Sequence, residues 1–110
     1  MHVPELKDKV VIVTGSARGI GQAIAERFAT EGSSVVLADL DNDGIKSVAE
    51  KIVTSGGSAV PIVTDVAIEE QVDALFDTTL NEYGTVDVLV NNAGLISPVK
   101  HILDVDKAWW

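Results

Sequence analysis

The chain has 110 residues, with 17 acidic against 8 basic side chains and a formal net charge of −9. That length suits one domain spanning residues 1–110, because a chain of this size buries roughly two-thirds of the surface its unfolded form exposes. The acidic balance argues against a nucleic-acid or anionic-membrane surface, both of which need clustered Lys and Arg, and the lack of cysteine excludes a disulfide framework or thiolate metal site. The segment from Met1 to Lys9 is mixed and charged, with no apolar run to act as a signal peptide. Nothing approaches the stretch of about 18 apolar residues that a membrane helix requires. The expected compartment is the cytoplasm. Charge is also unevenly spread: residues 1–40 carry four bases and five acids, whereas residues 41–110 carry four bases and twelve acids. The near-neutral first third is therefore where an anionic ligand is tolerated. The base-free acidic run from Asp65 to Asp87 reads as a solvated helix face.

The hydrophobic pattern alternates between two periods. Val10-Val11-Ile12-Val13 is a continuous β-branched run that suits a strand buried on both faces. Ile20, Ile24 and Phe28 follow at i, i+4 spacing, and Gly32 stops that helix. Val35 to Ala38 forms a second strand closing on Asp39. Asp41, Asn42 and Asp43 then offer capping oxygens to a second helix, whose stripe is Ile45, Val48, Ala49, Ile52 and Val53. Ala59 to Val63 is a third strand. A third helix carries Val72, Leu75, Phe76, Leu80 and Tyr83 and stops at Gly84, and Val86 to Val90 is a fourth strand ending in Asn91-Asn92-Ala93-Gly94. Beyond Pro98 only a weak apolar pattern leads to Trp109-Trp110.

Buried strands alternating with helices predict parallel pairing with right-handed crossovers, an α/β fold with helices on both faces. In a doubly wound sheet the four strands take the order 3-2-1-4. Pro61 supports that order, since its missing N–H is tolerable only on an edge strand. The fourth strand becomes the other edge, yet it carries one charge, Asp87, and neither Pro nor Lys to discourage pairing. It implies a missing neighbour: a second copy in a homo-oligomer (a dimer), another chain, or a complementary C-terminal half.

Chemistry concentrates in Thr14-Gly15-Ser16-Ala17-Arg18-Gly19-Ile20-Gly21, between the first strand and the first helix. A Gly-rich turn there brings backbone close to a pyrophosphate and aims the unpaired N–H groups of the helix start at phosphate oxygens. Gly15 serves the tight turn, Gly19 the close approach and Gly21 the packing of helix on strand. Asp39, ending the second strand, is placed to accept hydrogen bonds from adenosine ribose hydroxyls and to repel a 2′-phosphate. Arg18 pulls the other way, towards a 2′-phosphate. A carboxylate on the ribose outweighs a flexible exposed Arg, so NAD is expected rather than NADP. His2 and His101 have no ligand-spaced partner, and no metal site is expected.

With Asp65-Val66 after the third strand and Asn91-Asn92-Ala93-Gly94 after the fourth, these motifs resemble the short-chain dehydrogenase/reductase family over residues 8 to about 97. The resemblance implies a Rossmann domain for a nicotinamide dinucleotide. It implies a cofactor site of Gly15, Ser16, Arg18, Gly19, Ile20, Gly21, Asp39 and Leu40. Asp65 would meet the adenine amino group and the Val66 backbone the ring, while Asn91, Ala93 and Gly94 would line the cleft. Asp65 as a helix cap and Asn91 as a tie between strand ends are the structural alternatives.

The departures from the family are as informative. Its enzymes use a Tyr general acid/base, a Lys four positions on, a substrate-orienting Ser and a supporting Asn, all after the Asn-Asn-Ala-Gly motif. Here the single tyrosine, Tyr83, precedes that motif, and four residues later stands Asp87. Ser97 lies too close behind Gly94 to match the family serine, and Ala67 stands where the family often has a capping Ser or Thr. No catalytic residue is therefore assigned. The expectation is the NAD(H)-binding portion of an oxidoreductase, catalytically incomplete alone. The alternative is a non-catalytic dinucleotide-binding or regulatory module, or one that self-assembles through its fourth strand.

Overall fold

The computed structural model describes residues 4–93. Gly94, Ser97, His2, His101 and the stretch from Pro98 to Trp110 lie outside the described residues. The elements, after a short 3-10 turn at Pro4–Leu6, are β1 (Val10–Thr14), α1 (Gly19–Thr30), β2 (Ser34–Asp39), α2 (Asn42–Thr54), β3 (Ser58–Val63), α3 (Glu69–Tyr83) and β4 (Val88–Val90). All pairings are parallel and the strand order is β3-β2-β1-β4, as the pattern of buried runs predicts. Val11 lies opposite Val35 on one side and Val88 on the other, so β1 is the central spine. Pro61 sits on β3 opposite Leu37. With no strand beyond β3 among the described residues, its missing N–H leaves no ladder bond broken.

Strand alternation sends Val11, Val13, Val35 and Leu37 to one face, where they pack with Ala25 of α1 and Ile45, Val48 and Ile52 of α2. Ile12, Val36, Ala38 and Leu89 point to the other face, under Leu75 of α3. Phe76 and Tyr83 pack against that second cluster, so Tyr83 serves the core. Three layers result. Among the described residues, no helix is long and apolar enough to cross a membrane.

Three expectations change. Leu80 is 45 % exposed, while Thr79 is fully buried in its place. The Thr79 hydroxyl donates to the Leu75 carbonyl at 2.7 Å, which satisfies its polar atom inside the helix. Ile20 and Val53 also stand in solvent, at 72 % and 55 % exposure, because each lies in a terminal turn of its helix. Finally, β4 begins at Val88 rather than Val86. Asp87 is the reason: its N–H donates to the Val10 carbonyl at 2.9 Å while its carboxylate accepts from the Val10 N–H at 2.8 Å. The one charge in that run thus closes the start of the β1–β4 pairing. In the acidic run, Glu69, Glu70, Asp77 and Glu82 are exposed, as a solvated face requires, whereas Asp65 and Asp87 bond to backbone.

Candidate functional site

The chain passes from β2 to β3 on one side of β1 and returns through α3 to β4 on the other, so the topology switches between β1 and β4. In an open α/β sheet a ligand crevice lies over the C-terminal ends of the strands at such a switch point. Its floor is held by side chains near the strand ends. The Thr14 hydroxyl accepts from the Asn92 N–H at 2.9 Å and lies 3.2 Å from Asn91 Oδ1, to which it donates. The Asn92 side-chain amide donates to the Gly15 carbonyl at 3.3 Å. Asn91 therefore ties strand ends together.

The glycine turn packs against that floor. Gly15 has φ +63°, and a Cβ there would stand 2.6 Å from the Asn92 carbonyl oxygen. A Cβ on Gly21 would run into the Gly15 carbonyl and reach within 2.6 Å of Asn92 Nδ2. Gly21 is thus required by the approach of α1 to its own preceding turn. Gly19 differs: its φ is +62°, yet a Cβ there meets nothing within 4 Å. Its freedom serves a left-handed turn whose outer side is open. Ser16 is fully buried, with its hydroxyl 3.5 Å from the Ala38 carbonyl. Arg18, the N-cap of α1, makes no side-chain cap bond, and the first turn carries no acid. The leading N–H groups of α1 have no carbonyl partner within the helix. Ile20 projects outward beside them.

Asp39 links two elements. Its Oδ2 accepts from the Ala17 N–H at 3.1 Å and its Oδ1 from the Asp41 N–H at 3.0 Å, joining the glycine turn to the start of α2. Of the three capping candidates Asp41, Asn42 and Asp43, it is Asp41 that caps α2, accepting from the Gly44 N–H at 3.0 Å. After β3, Asp65 Oδ1 accepts from the Ala67 N–H at 2.9 Å, while the Asp65 N–H donates to Gln71 Oε1 at 2.7 Å. The N-cap of α3 is Ile68 rather than Ala67 and makes no side-chain cap bond, so the side chains of Asp65 and Gln71 brace the entry to the helix instead.

A cleft of about 270 Å³ opens between these turns. Six of the residues singled out in the sequence line it: Gly15, Asp39, Leu40, Asp65, Val66 and Ala93. Ala38, Thr64 and Asn92 line it as well and were not singled out. Thr64 carried a usable signal, since it directly precedes Asp65 and its N–H extends the β2–β3 ladder to the Asp39 carbonyl at 3.0 Å. Asn92 carried a weaker one, within the Asn-Asn-Ala-Gly motif. Gly19 and Arg18 stand at the neighbouring helix start, and Asn91 beneath, at the end of β4.

Residues 9–110 match the short chain dehydrogenase family. The chain belongs to that family. It is 48 % identical over 91 residues to glucose 1-dehydrogenase 2 of Bacillus subtilis, covering 82 % of this chain and 35 % of that protein. It is 45 % identical over 92 residues to 3beta-hydroxysteroid dehydrogenase 1 of Eggerthella lenta, covering 83 % of this chain and 35 % of that one. Among solved structures, a short chain dehydrogenase/reductase from Burkholderia phymatum in complex with NAD superposes with a TM-score of 0.76 at 35 % identity. That match covers 77 % of this chain and 30 % of the other. The chain spans about a third of the length of the curated relatives it matches. Family membership accounts for the β3-β2-β1-β4 order and for the glycine turn at its switch point.

Proposed function

We propose that this chain is the NAD(H)-binding portion of an oxidoreductase that moves hydride between a nicotinamide cofactor and an alcohol or carbonyl. The observation that carries this reading is the open space over Gly19, beside an α1 N-terminus that its own side chains leave uncapped. A dinucleotide pyrophosphate fits there, against N–H groups that have no helical acceptor. Gly15 and Gly21 keep the turn thin, and Ser16 anchors it to β2. The neighbouring cleft suits the adenosine portion: Asp39 accepts from the ribose hydroxyls, Leu40 and Val66 flank the base, and Asp65 accepts from its amino group. Ala93 lines the cleft on the side of β4, while Asn91 acts by holding β1 and β4 together. Ile20 lies beside the phosphates and contributes its backbone N–H.

The nicotinamide, when bound, supplies the hydride chemistry. The residues of this chain bind and orient it. No general acid or base is assigned among its described side chains. The NAD complex of the Burkholderia phymatum relative supports the cofactor class, and the Asp39 carboxylate supports NAD over NADP. Isothermal titration of the chain with NAD and with NADP tests the reading. Saturable binding with NAD the tighter ligand is expected, without alcohol oxidation by the chain alone. Absence of binding to either cofactor overturns it.

Homo-oligomer formation belongs to the same proposal. Among the described residues β4 has a single neighbour, β1, and Val88 to Val90 offer a second ladder edge to another chain. Sedimentation is expected to show a dimer or larger species at micromolar concentration; a monomer there refutes it.

A further inference from the structure

We propose that Asp41 is a second determinant of cofactor choice, acting through Arg18. This rests on the dinucleotide reading above. Arg18 is the basic side chain of the glycine turn, and its side chain is 83 % exposed. Left alone, a mobile guanidinium at that place favours a ligand bearing a 2′-phosphate. It is not left alone: Arg18 Nη2 lies 3.8 Å from Asp41 Oδ2.

Asp41 is held firmly enough to act as a fixed counter-charge. Its N–H donates to Asp39 Oδ1 at 3.0 Å, and its Oδ1 accepts from the Gly44 N–H at 3.0 Å. A Cβ on Gly44 would collide with that carboxylate and stand 2.9 Å from the Ala17 Cβ. Gly44 thus makes the room in which Asp41 sits against the glycine turn. Asp39 and Asp41 form one connected device: Asp39 ties Ala17 to Asp41, and Asp41 draws Arg18 across from the phosphate turn. A 2′-phosphate entering the site has to displace Asp41 from Arg18 and then lie beside its carboxylate. The chain is consequently biased against NADP by two acids, of which Asp39 also fixes the backbone of the turn.

Two consequences separate this from selection by Asp39 alone. Asp39→Ala removes the acceptor for both the Ala17 and the Asp41 N–H groups while Asp41 keeps its charge. It weakens NAD binding without bringing NADP binding to the level of NAD. Asp41→Asn removes the charge yet keeps an amide oxygen for the Gly44 N–H, and Asn caps helices as well as Asp does.

The test is a titration of four chains of residues 1–110 with NAD and NADP: wild type, Asp41→Asn, Arg18→Gln and the double variant. The readout is the ratio of the two affinities, which a general loss of folded protein does not move. Asp41→Asn is expected to shift that ratio towards NADP by about threefold to tenfold, the scale of an exposed ion pair plus relief of one repulsion. The shift is expected to fall well below that in the Arg18→Gln background, where only the repulsion is relieved, and to shrink as salt is raised. An unmoved ratio in Asp41→Asn overturns the proposal, as does an equal shift with Arg18 absent. A wild-type chain that binds neither cofactor overturns the dinucleotide reading itself, and is seen before any variant is compared.

Discussion

Replacing Gly19 by Ala separates what the fold requires from what a ligand requires. A Cβ at this position meets no heavy atom within 4 Å, so the folded chain loses no contact and gains no clash. What remains is backbone strain. A non-glycine residue at φ +62° costs about 1–2 kcal/mol, and restricting the unfolded chain returns about 0.4–1 kcal/mol. The net cost is about 1 kcal/mol, a fall in Tm of about 4–8 °C for a domain of this size. Thermal melting followed by circular dichroism measures it. Cofactor binding is expected to respond more strongly, because the new methyl occupies the space into which the pyrophosphate fits. Overpacking of about 1–3 kcal/mol lowers NAD affinity roughly fivefold to more than a hundredfold in calorimetric titration. Binding equal to wild type refutes the assignment of the Gly19 space to a phosphate. Destabilisation well beyond 3 kcal/mol refutes the claim that only the backbone angle is at stake.

The remaining predictions concern stability. Asp87→Ala strips the acceptor from the N–H of Val10, a residue 4 % exposed; it is expected to cost about 1.5–3 kcal/mol in urea unfolding. Asp87→Asn keeps an acceptor oxygen and is expected to recover at least half of that loss; equal damage from both variants refutes the hydrogen-bond account. Asp8 holds φ +64° in an exposed turn after the first 3-10 segment. Asp8→Gly is expected to raise stability by roughly 0.5 kcal/mol, with left-handed strain relieved against greater unfolded freedom, and lower stability in the same assay counts against it.

Much of the site was legible because its parts are local. Gly15, Gly19 and Gly21 fall within seven consecutive positions, and the motif sits between a β-branched run and a helical stripe, which fixes its place at a strand end. Asp39 and Asp65 were legible for the same reason, each following a buried run. Asn92 and Thr64 were less so. Their part in the cleft depends on strands separated by long stretches of chain, as with the Asn92 amide and the Gly15 carbonyl, 77 positions apart. The same holds for Asp39: its end-of-strand position suggests a ribose partner, while its bond to the Ala17 N–H requires β1 and β2 to lie side by side.

By itself the sequence determined the periods, and through them the fold. Continuous β-branched runs demand burial on both faces, amphipathic stripes demand a sheet beneath them, and Pro61 demands an edge. Those constraints converge on one strand order. Tertiary structure decided which competing side chain took each buried position and what each polar group bonded. Thr79 took the buried place because it follows Val72 and Leu75 at i, i+3, i+7 on the face against the sheet, and its hydroxyl is satisfied within its own helix. Asp87 became the clasp of β1 and β4 because Val10 brought an N–H to it. Periodicity reports the average demand of a face, whereas hydrogen-bond partners depend on individual distances that arise only once the strands have paired.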